Sequence, residues 1–391
     1  MVLLLLMTGC GPKIGLQYAQ AKAEALAAPP PVAADWRPDL RLQITEPPIE
    51  RAVHAALDVG LSELDGKLQT EAMGGALKLQ PSARVKAIDL RVEADCGGCM
   101  SARADLSGTL GWSLGPLKGE LPFSAGLGGK PKFSLDQKPD GWGITMKLAA
   151  IDRVAVQVGS LRELDVGPLL SGWISKAINK APPVHLGDVG ADLLPLRAMR
   201  IDGRPGILEL QALTDVPQPG SVGPGDGPPN GADWSVRIAQ QTVLSLARRE
   251  AFKAGPQALD LAVDPRDLRI KGGDFELDMR LWSLGGFGWW RDYTVKGEIL
   301  MRGEDMVLRG TDAAEGEHSP GAGLANPLVA LADGPLLKLL TRAIDETLPT
   351  ANKTEAAGFV LDAGATSAWG EDKALLVNGR FDMSRVGGKG R

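Results

Sequence analysis

Two thiols stand three positions apart in Cys96-Gly97-Gly98-Cys99, the sharpest local motif of the chain. Such a pair supports thiol–disulfide exchange, half of a zinc site, or a structural disulfide. Exchange of the thioredoxin kind needs the first cysteine at a helix N-terminus after a parallel strand. Here alternating strands flank the pair, Ile88, Leu90, Val92 and Ala94 before it and Met100, Ala102, Ala104 and Leu106 after it. Zinc would want a second pair, and His54, His185 and His318 are scattered. The expectation is therefore a disulfide, Cys96–Cys99, clamping a hairpin tip in an oxidising compartment. A two-residue turn would set Ala94 opposite Ser101, so the loop is expected to have an odd number of residues.

Gly285-Gly286-Phe287-Gly288-Trp289-Trp290-Arg291 is the second notable stretch. Adjacent tryptophans alternate faces on a strand, and indole beside arginine suits a membrane interface, so Trp289 and Trp290 are candidate membrane contacts. The competing reading is an aromatic corner packed beneath a loop. Glu298, Glu304, Asp305, Asp312, Glu315 and Glu317 lack the spacing of a calcium loop and read as solvated surface. Arg197 and Arg200 could meet lipid phosphates, but the preferred reading places them on a strand. There is no GxSxG, HExxH, GxGxxG or P-loop. No catalytic residue, metal or cofactor is expected, and the protein is read as no enzyme.

A third cysteine sits near the start. Val2-Leu3-Leu4-Leu5-Leu6-Met7 precedes Thr8-Gly9-Cys10, which resembles the lipobox of bacterial lipoproteins, whose peptidase needs small residues before the cysteine that takes the diacylglycerol. The departures are a short apolar run and no preceding Lys or Arg, which points to a truncated start. The resemblance implies lipidation at Cys10 and a place in the bacterial cell envelope, with Gly11 favouring the outer membrane, facing the periplasm. Residues 1–10 would be the signal. No other stretch is apolar enough to span a bilayer.

The elements that must position these groups come next. The 391 residues suggest two domains, 44% hydrophobic and 23% charged residues suggest a globular chain, and 50 Gly with 28 Pro favour turns over long helices. A net charge of −5 gives no reason to expect nucleic acid. Residues 11–38, rich in Ala, Gln and Pro, read as a tether. In 166–181 the apolar positions Val166, Leu169, Leu170, Trp173, Ile174, Ala177, Ile178 and Ala181 follow a helical stripe, with Pro168 in the first turn and Pro182-Pro183 as a stop. A counterpart at 334–348 carries Leu336, Leu337, Leu340, Ala343, Ile344 and Leu348. Two further helices are expected at 47–57 and 241–253. Short alternating strands fill the rest, with turns expected at Gly115, Gly128 and Pro139, and a mobile loop is expected at 311–326. Nine of the fourteen residues 217–230 are Pro or Gly, which marks a linker or a long ordered crossover.

Helix, strands, helix and two strands thus occur twice, in 39–216 and 231–385. Ala34-Asp35-Trp36 is echoed by Ala232-Asp233-Trp234, and Leu40-Arg41-Leu42 by Val236-Arg237-Ile238. The fold class expected is α+β, two duplicated modules, each a twisted antiparallel sheet wrapped around amphipathic helices. The helix pairs 47–57 with 166–181 and 241–253 with 334–348 resemble those of the TULIP superfamily, the bactericidal/permeability-increasing-like proteins, over roughly 35–384. That resemblance implies an apolar groove between helix and rolled sheet that takes acyl chains, with lipid contacts at Leu169, Leu170, Trp173, Ile174, Ile178, Leu336, Leu337, Leu340 and Ile344. It implies binding or transfer of phospholipid or another apolar ligand. A dry space under so deep a stripe would suit hydrocarbon; the alternative is that side chains fill it. Two rivals stand beside this: a structural or assembly lipoprotein with an envelope protein partner, and an AsmA-type β-groove protein, which 106–135 loosely resembles.

Overall fold

The computed structural model describes residues 11–385 apart from 63–67, 73–74, 95–96, 139–140, 159–166, 181–183, 191–194, 257–259, 287, 304, 320–350 and 357–358. Its centre is a pair of short antiparallel strands, β1 (Leu40–Thr45) and β10 (Trp234–Ala239), with Leu42 opposite Val236. Outside them lie the hairpins β8 (Leu196–Arg204)–β9 (Ile207–Thr214) and β16 (Phe359–Glu371)–β17 (Ala374–Arg385), with β15 (Ala351–Ala356) at one edge. The seven strands run in the order β15-β16-β17-β10-β1-β9-β8. Each central strand runs straight into a helix: β1 into α2 (Glu46–Ser62), β10 into α4 (Gln240–Ala254). These junctions align Thr45 with Ala239, so the repeated tripeptides are out of step with the strands. Trp234 opens β10 and is buried, whereas Trp36 precedes β1 and lies under Arg200, 4.7 Å from its ring centroid.

From α2 the chain enters a six-stranded sheet, β2 (Leu68–Ala72), β3 (Gly75–Val92), β4 (Met100–Leu114), β5 (Leu117–Lys138), β6 (Gly141–Val158) and β7 (Val184–Gly190), with α3 (Gly167–Lys180) between the last two. α2 packs against β3 and α3 against β6, and the helices touch each other, so the twisted sheet wraps around the pair. From α4 the chain forms a four-stranded sheet, β11 (Leu261–Lys271), β12 (Asp274–Ser283), β13 (Trp289–Arg302) and β14 (Asp305–His318). β1 and β10 are antiparallel, so the two sheets leave opposite ends of the central pair.

Several expectations change. The short strands of the first half are segments of very long ones; β5 alone has 22 residues. Gly128 is no turn but lies at a bulge inside β5, where β6 shifts register. Residues 311–318 belong to β14, so the loop expected there is not one; 320–326 lie outside the described residues. The tether reading of 11–38 is overturned for α1 (Gly11–Ala25). Ala, Gln, Lys and Leu are strong helix formers, and Ile14, Tyr18, Ala21 and Ala25 make a stripe that buries against Phe252, Ala262 and Trp282.

The central sheet has two unlike faces. Leu40, Leu210, Ala212, Trp234, Ile238 and Val377 belong to its apolar face. The other face carries Arg41, Gln43, Glu209, Gln211, Ser235, Arg237 and Asn378, all buried, because residues 217–230 lie across it as an ordered strap. Val222 N–H donates to the Pro38 carbonyl at 2.9 Å, Arg41 Nε to the Val222 carbonyl at 3.0 Å, and Arg204 Nη1 to the Gly225 carbonyl at 2.8 Å. Beneath it Glu209 accepts from Gln43 at 2.7 Å, Gln211 at 2.6 Å and Arg204 at 2.9 Å, and pairs with Arg41. Residues 217–230 thus cross this face as an ordered segment.

Both outer sheets touch the centre through hairpin tips. Val92 pairs with Met100, so seven residues, 93–99, form the first tip, the odd count expected. Glu93 N–H donates to the Cys99 carbonyl at 3.1 Å and Phe133 N–H to the Gly98 carbonyl at 3.3 Å. Gly98 has φ +88°, and a Cβ there would lie 2.6 Å from Ile201 Cγ2 of β8. In the second half Gly272 and Gly370 exchange two backbone hydrogen bonds, at 2.9 and 2.7 Å. Gly98→Ala, strained and crowded, is expected to cost about 2–4 kcal/mol. Gly97→Ala, also at positive φ but with open space around it, should cost no more than about 1–3 kcal/mol. Urea unfolding of the two variants makes the comparison.

Candidate functional site

The interior of the first half is built from alternation that changes phase. On β3, Leu77, Leu79 and Val85 face inward, then a register shift between Val85 and Ala87 hands the inner face to Ile88, Leu90 and Val92. β4 adds Met100, Ala104 and Leu106, β5 adds Ala125, Leu127 and Phe133, and β6 adds Met146. Against this face α2 lays Ile49, Val53 and Leu57 and α3 lays Ile174. A separate cluster nearer the far end joins Leu170 to Leu77, Leu79, Leu110 and Phe123.

Between α2 and the sheet an apolar cleft remains, about 40 Å³ in volume. Val53, Leu57, Ile88, Ala102, Ala104 and Leu127 line it, and Lys130, exposed, stands at its rim beside Pro131. The volume holds a few methylene groups and falls well below the roughly 300 Å³ at which a pocket encloses a small ligand. Its wall is α2, which runs along the β3 edge beyond the end of β2 and is tied to it by carboxylates. Glu50 accepts from Leu90 N–H at 3.0 Å and Glu46 from Val92 N–H at 2.8 Å. In the second half Gln240, first residue of α4, accepts from Ile270 N–H at 3.0 Å. A larger hollow of about 720 Å³ opens at the far end of the first sheet. Lys78, Gln80, Ser113, Lys118 and Glu120 stand around Trp112 and Leu79 there, walls better matched to a polar group than to hydrocarbon.

The expected site residues are placed unevenly. Leu170 and Ile174 are fully buried and Leu169 and Trp173 partly so, all four packed against neighbouring side chains; none lines the cleft. Ile178 falls within α3, but its side chain lies outside the described residues, as do Leu336, Leu337, Leu340 and Ile344 altogether. Cys10 and Cys96 are outside too. Trp289 and Trp290 are half-buried: Trp289 packs on the core between α4 and the second sheet, Trp290 on the α1 cluster, with Arg280 3.4 Å over its ring centroid. Both rings thus pack on one side against neighbouring side chains and keep part of their surface exposed. What the sequence reading missed is α2 as the helix that walls the cleft. Its stripe at Ile49, Val53 and Leu57 was visible; its acids Glu46 and Glu50, which the sequence did not single out, hold a strand edge.

Two buried carboxylates titrate unusually, both on the central sheet. Burial pushes Asp39 up, despite bonds accepted from Thr214 N–H at 3.0 Å, from the Thr214 hydroxyl, and from the Thr242 hydroxyl at 2.9 Å. Burial works on Glu209 in the same direction, but Gln43, Arg41, Gln211 and Arg204 together hold it below the ordinary glutamate value. Glu209 holds the arginines that reach the strap, and Asp39 ties the end of β9 to the first turn of α4. Among the described residues no group of His, Cys, Asp and Glu could hold a metal ion, and no helix is long and apolar enough to cross a membrane.

No protein-family model matches this chain, and no curated protein does. Several solved structures align with it, among them the following two. A lipopolysaccharide binding protein is similar at 13% identity with a TM-score of 0.44, over 90% of this chain and 100% of that one. The P47 protein of Clostridium botulinum A2 is similar at 8% identity with a TM-score of 0.37, over 88% of this chain and 97% of that one. The molecule is a sheet-rich α+β protein whose first half closes an apolar cleft beneath a helix.

Proposed function

We propose that this chain is a bacterial envelope lipoprotein, anchored through Cys10, that binds a lipid or another apolar ligand in its first half. The observation that carries this is the cleft under α2, lined by aliphatic side chains with a single ammonium, Lys130, at the rim. Hydrocarbon would enter by α2 parting from β3, which breaks the Glu46 and Glu50 bonds and little else polar. An anionic or zwitterionic headgroup would stay at Lys130. The binding is passive, with no bond made or broken. The two halves are read as duplicated modules, supported by the matched order of strands about β1 and β10 and by helix-to-edge bonds at Glu46 and Gln240.

An assembly lipoprotein with a protein partner is the second reading, favoured by the complete burial of Leu170 and Ile174 among side chains. Lipid extraction and native mass spectrometry of the purified chain separate the two. Co-purifying phospholipid is expected, and a chain free of lipid after mild isolation favours assembly. Ala102→Leu sharpens the test by filling the cleft. It should raise stability by up to about 1 kcal/mol, because apolar surface is buried in existing space, and it should lower the lipid carried several-fold. A variant that loses no lipid sinks the cleft as the site.

A further inference from the structure

We propose that the outer end of the second half, where the first turn of α1 meets the turn between β12 and β13, is a surface that rests on a phospholipid bilayer. The tip 272–273 docks on the central sheet, so the opposite ends of these strands, near Ser283 and Trp289, are the outer ones. α1 lies along this half with its C-terminal end inward: Glu24 is 4.0 Å from Arg248, and Glu24, Ala25, Gln218 and Gln241 line one hollow beside the strap. Its N-terminal end is outermost, since a Cβ on Gly288 would lie 3.2 Å from Ile14 Cβ. Residue 10 directly precedes this helix.

The helix that follows the candidate lipidation site Cys10 in sequence and the turn that leads into Trp289 therefore lie at one end. α1 is seated by four buried side chains, and an extended residue spans at most about 3.6 Å. An acyl anchor on Cys10 would hold this end against the bilayer with no slack. Leu16, on the exposed side of the same helix, is 70% accessible, the highest of the four exposed large apolar side chains among the described residues. Lys13, also exposed, stands one turn from it. A leucine to insert and an ammonium for the phosphate layer suit an interface. The first half leaves the other end of the central pair, so its cleft is held away from that bilayer. The second half orients and the first half binds.

The inference rests on the reading of Cys10 as an anchor, and the test keeps the two apart. Hydrogen exchange of the full chain, with and without vesicles of phosphatidylethanolamine and phosphatidylglycerol, should show new protection in 13–17 and 284–289 and none at 115–118, the opposite tip, where Leu117 is exposed. Leu16→Asp changes an exposed side chain outside the buried stripe of α1, so the variant folds. It should weaken vesicle binding on the order of tenfold, and Leu117→Asp should leave it unchanged. Protection at 115–118, or equal binding by Leu16→Asp, overturns the surface. The mass of Cys10 in the native protein tests the anchor alone: an unlipidated chain with the expected footprint removes the anchor and keeps the surface.

Discussion

Glu209→Ala should destabilise the protein by about 3–5 kcal/mol, the cost of leaving buried cations without their counter-ion. Glu209 is 2% exposed and is the common acceptor of Arg41, Arg204, Gln43 and Gln211. The same two arginines reach the carbonyls of Val222 and Gly225 in the strap. Removing one carboxylate therefore loosens both the sheet face and its cover. Urea unfolding gives the magnitude. Hydrogen exchange locates it: amides of 218–228 should lose protection before those of β3 to β6. If exchange rises first in the outer sheets, the strap is a passenger and not a clasp.

The acid side of the stability profile follows from the same carboxylates, with opposite signs. Glu209 has its folded value depressed, so its contribution is present above the unfolded value, about 4.3, and is lost as pH falls through the folded one. Asp39 has its folded value raised, so its ionisation costs stability as pH climbs from about 3.9 through the folded value. In Asp39→Asn that loss disappears, and the variant should gain on the wild type as pH rises from 4 to 7. Thermal unfolding across that range reads it. A constant difference between the two proteins would place the Asp39 effect in its hydrogen bonds and not in its charge.

Much of the architecture was legible because amphipathic periodicity survives in single elements. The stripe of α3 was readable to within a residue, Gly167–Lys180 against 166–181, and α4 likewise. The strands were readable only where alternation is unbroken. On β3 the phase change between Val85 and Ala87 cancels the period, so only 88–92 stood out of an 18-residue strand. Glycine misled in the same way: Gly128 looks like a turn and is a bulge, since a two-residue period cannot show which. Function was less legible for a different reason. The cleft forms from alanines and aliphatics on four elements, none unusual in its own segment, and its wall is held by Glu46 and Glu50, whose partners are backbone groups that no side-chain pattern announces. The tripeptide echoes had the opposite fault, being visible in sequence and out of step in space. What does repeat is the junction of strand and helix, at 45–46 and 239–240, where no residue is shared.

Trp282→Ala should cost about 3–5 kcal/mol and should free α1. Trp282 is 1% exposed on β12, with Tyr18 of α1 at 6.0 Å edge-on and Phe252 of α4 at 5.5 Å from Tyr18. Burial and the nearby charge of Asp264 raise the Tyr18 phenol. Arg280 bridges the rings of Trp282 and Trp290, at 5.4 and 3.4 Å, and is fixed in turn by Asp292 at 2.6 Å. Removing the indole takes away the floor on which α1 rests, while the core on the other side of the sheet, Leu277, Met279 and Leu281 against α4, is untouched. Exchange in 12–24 should therefore approach that of an unstructured chain while β12 and β13 stay protected. A helix of about fifteen residues has little stability alone, so undocking and unwinding coincide. The consequence reaches the membrane: with α1 loose, an anchor at Cys10 gains some fifteen residues of slack, and protection of 284–289 by vesicles should vanish even though the protein remains bound. Retained protection there would mean that the turn finds the bilayer without α1, which would leave the helix a structural strut and nothing more.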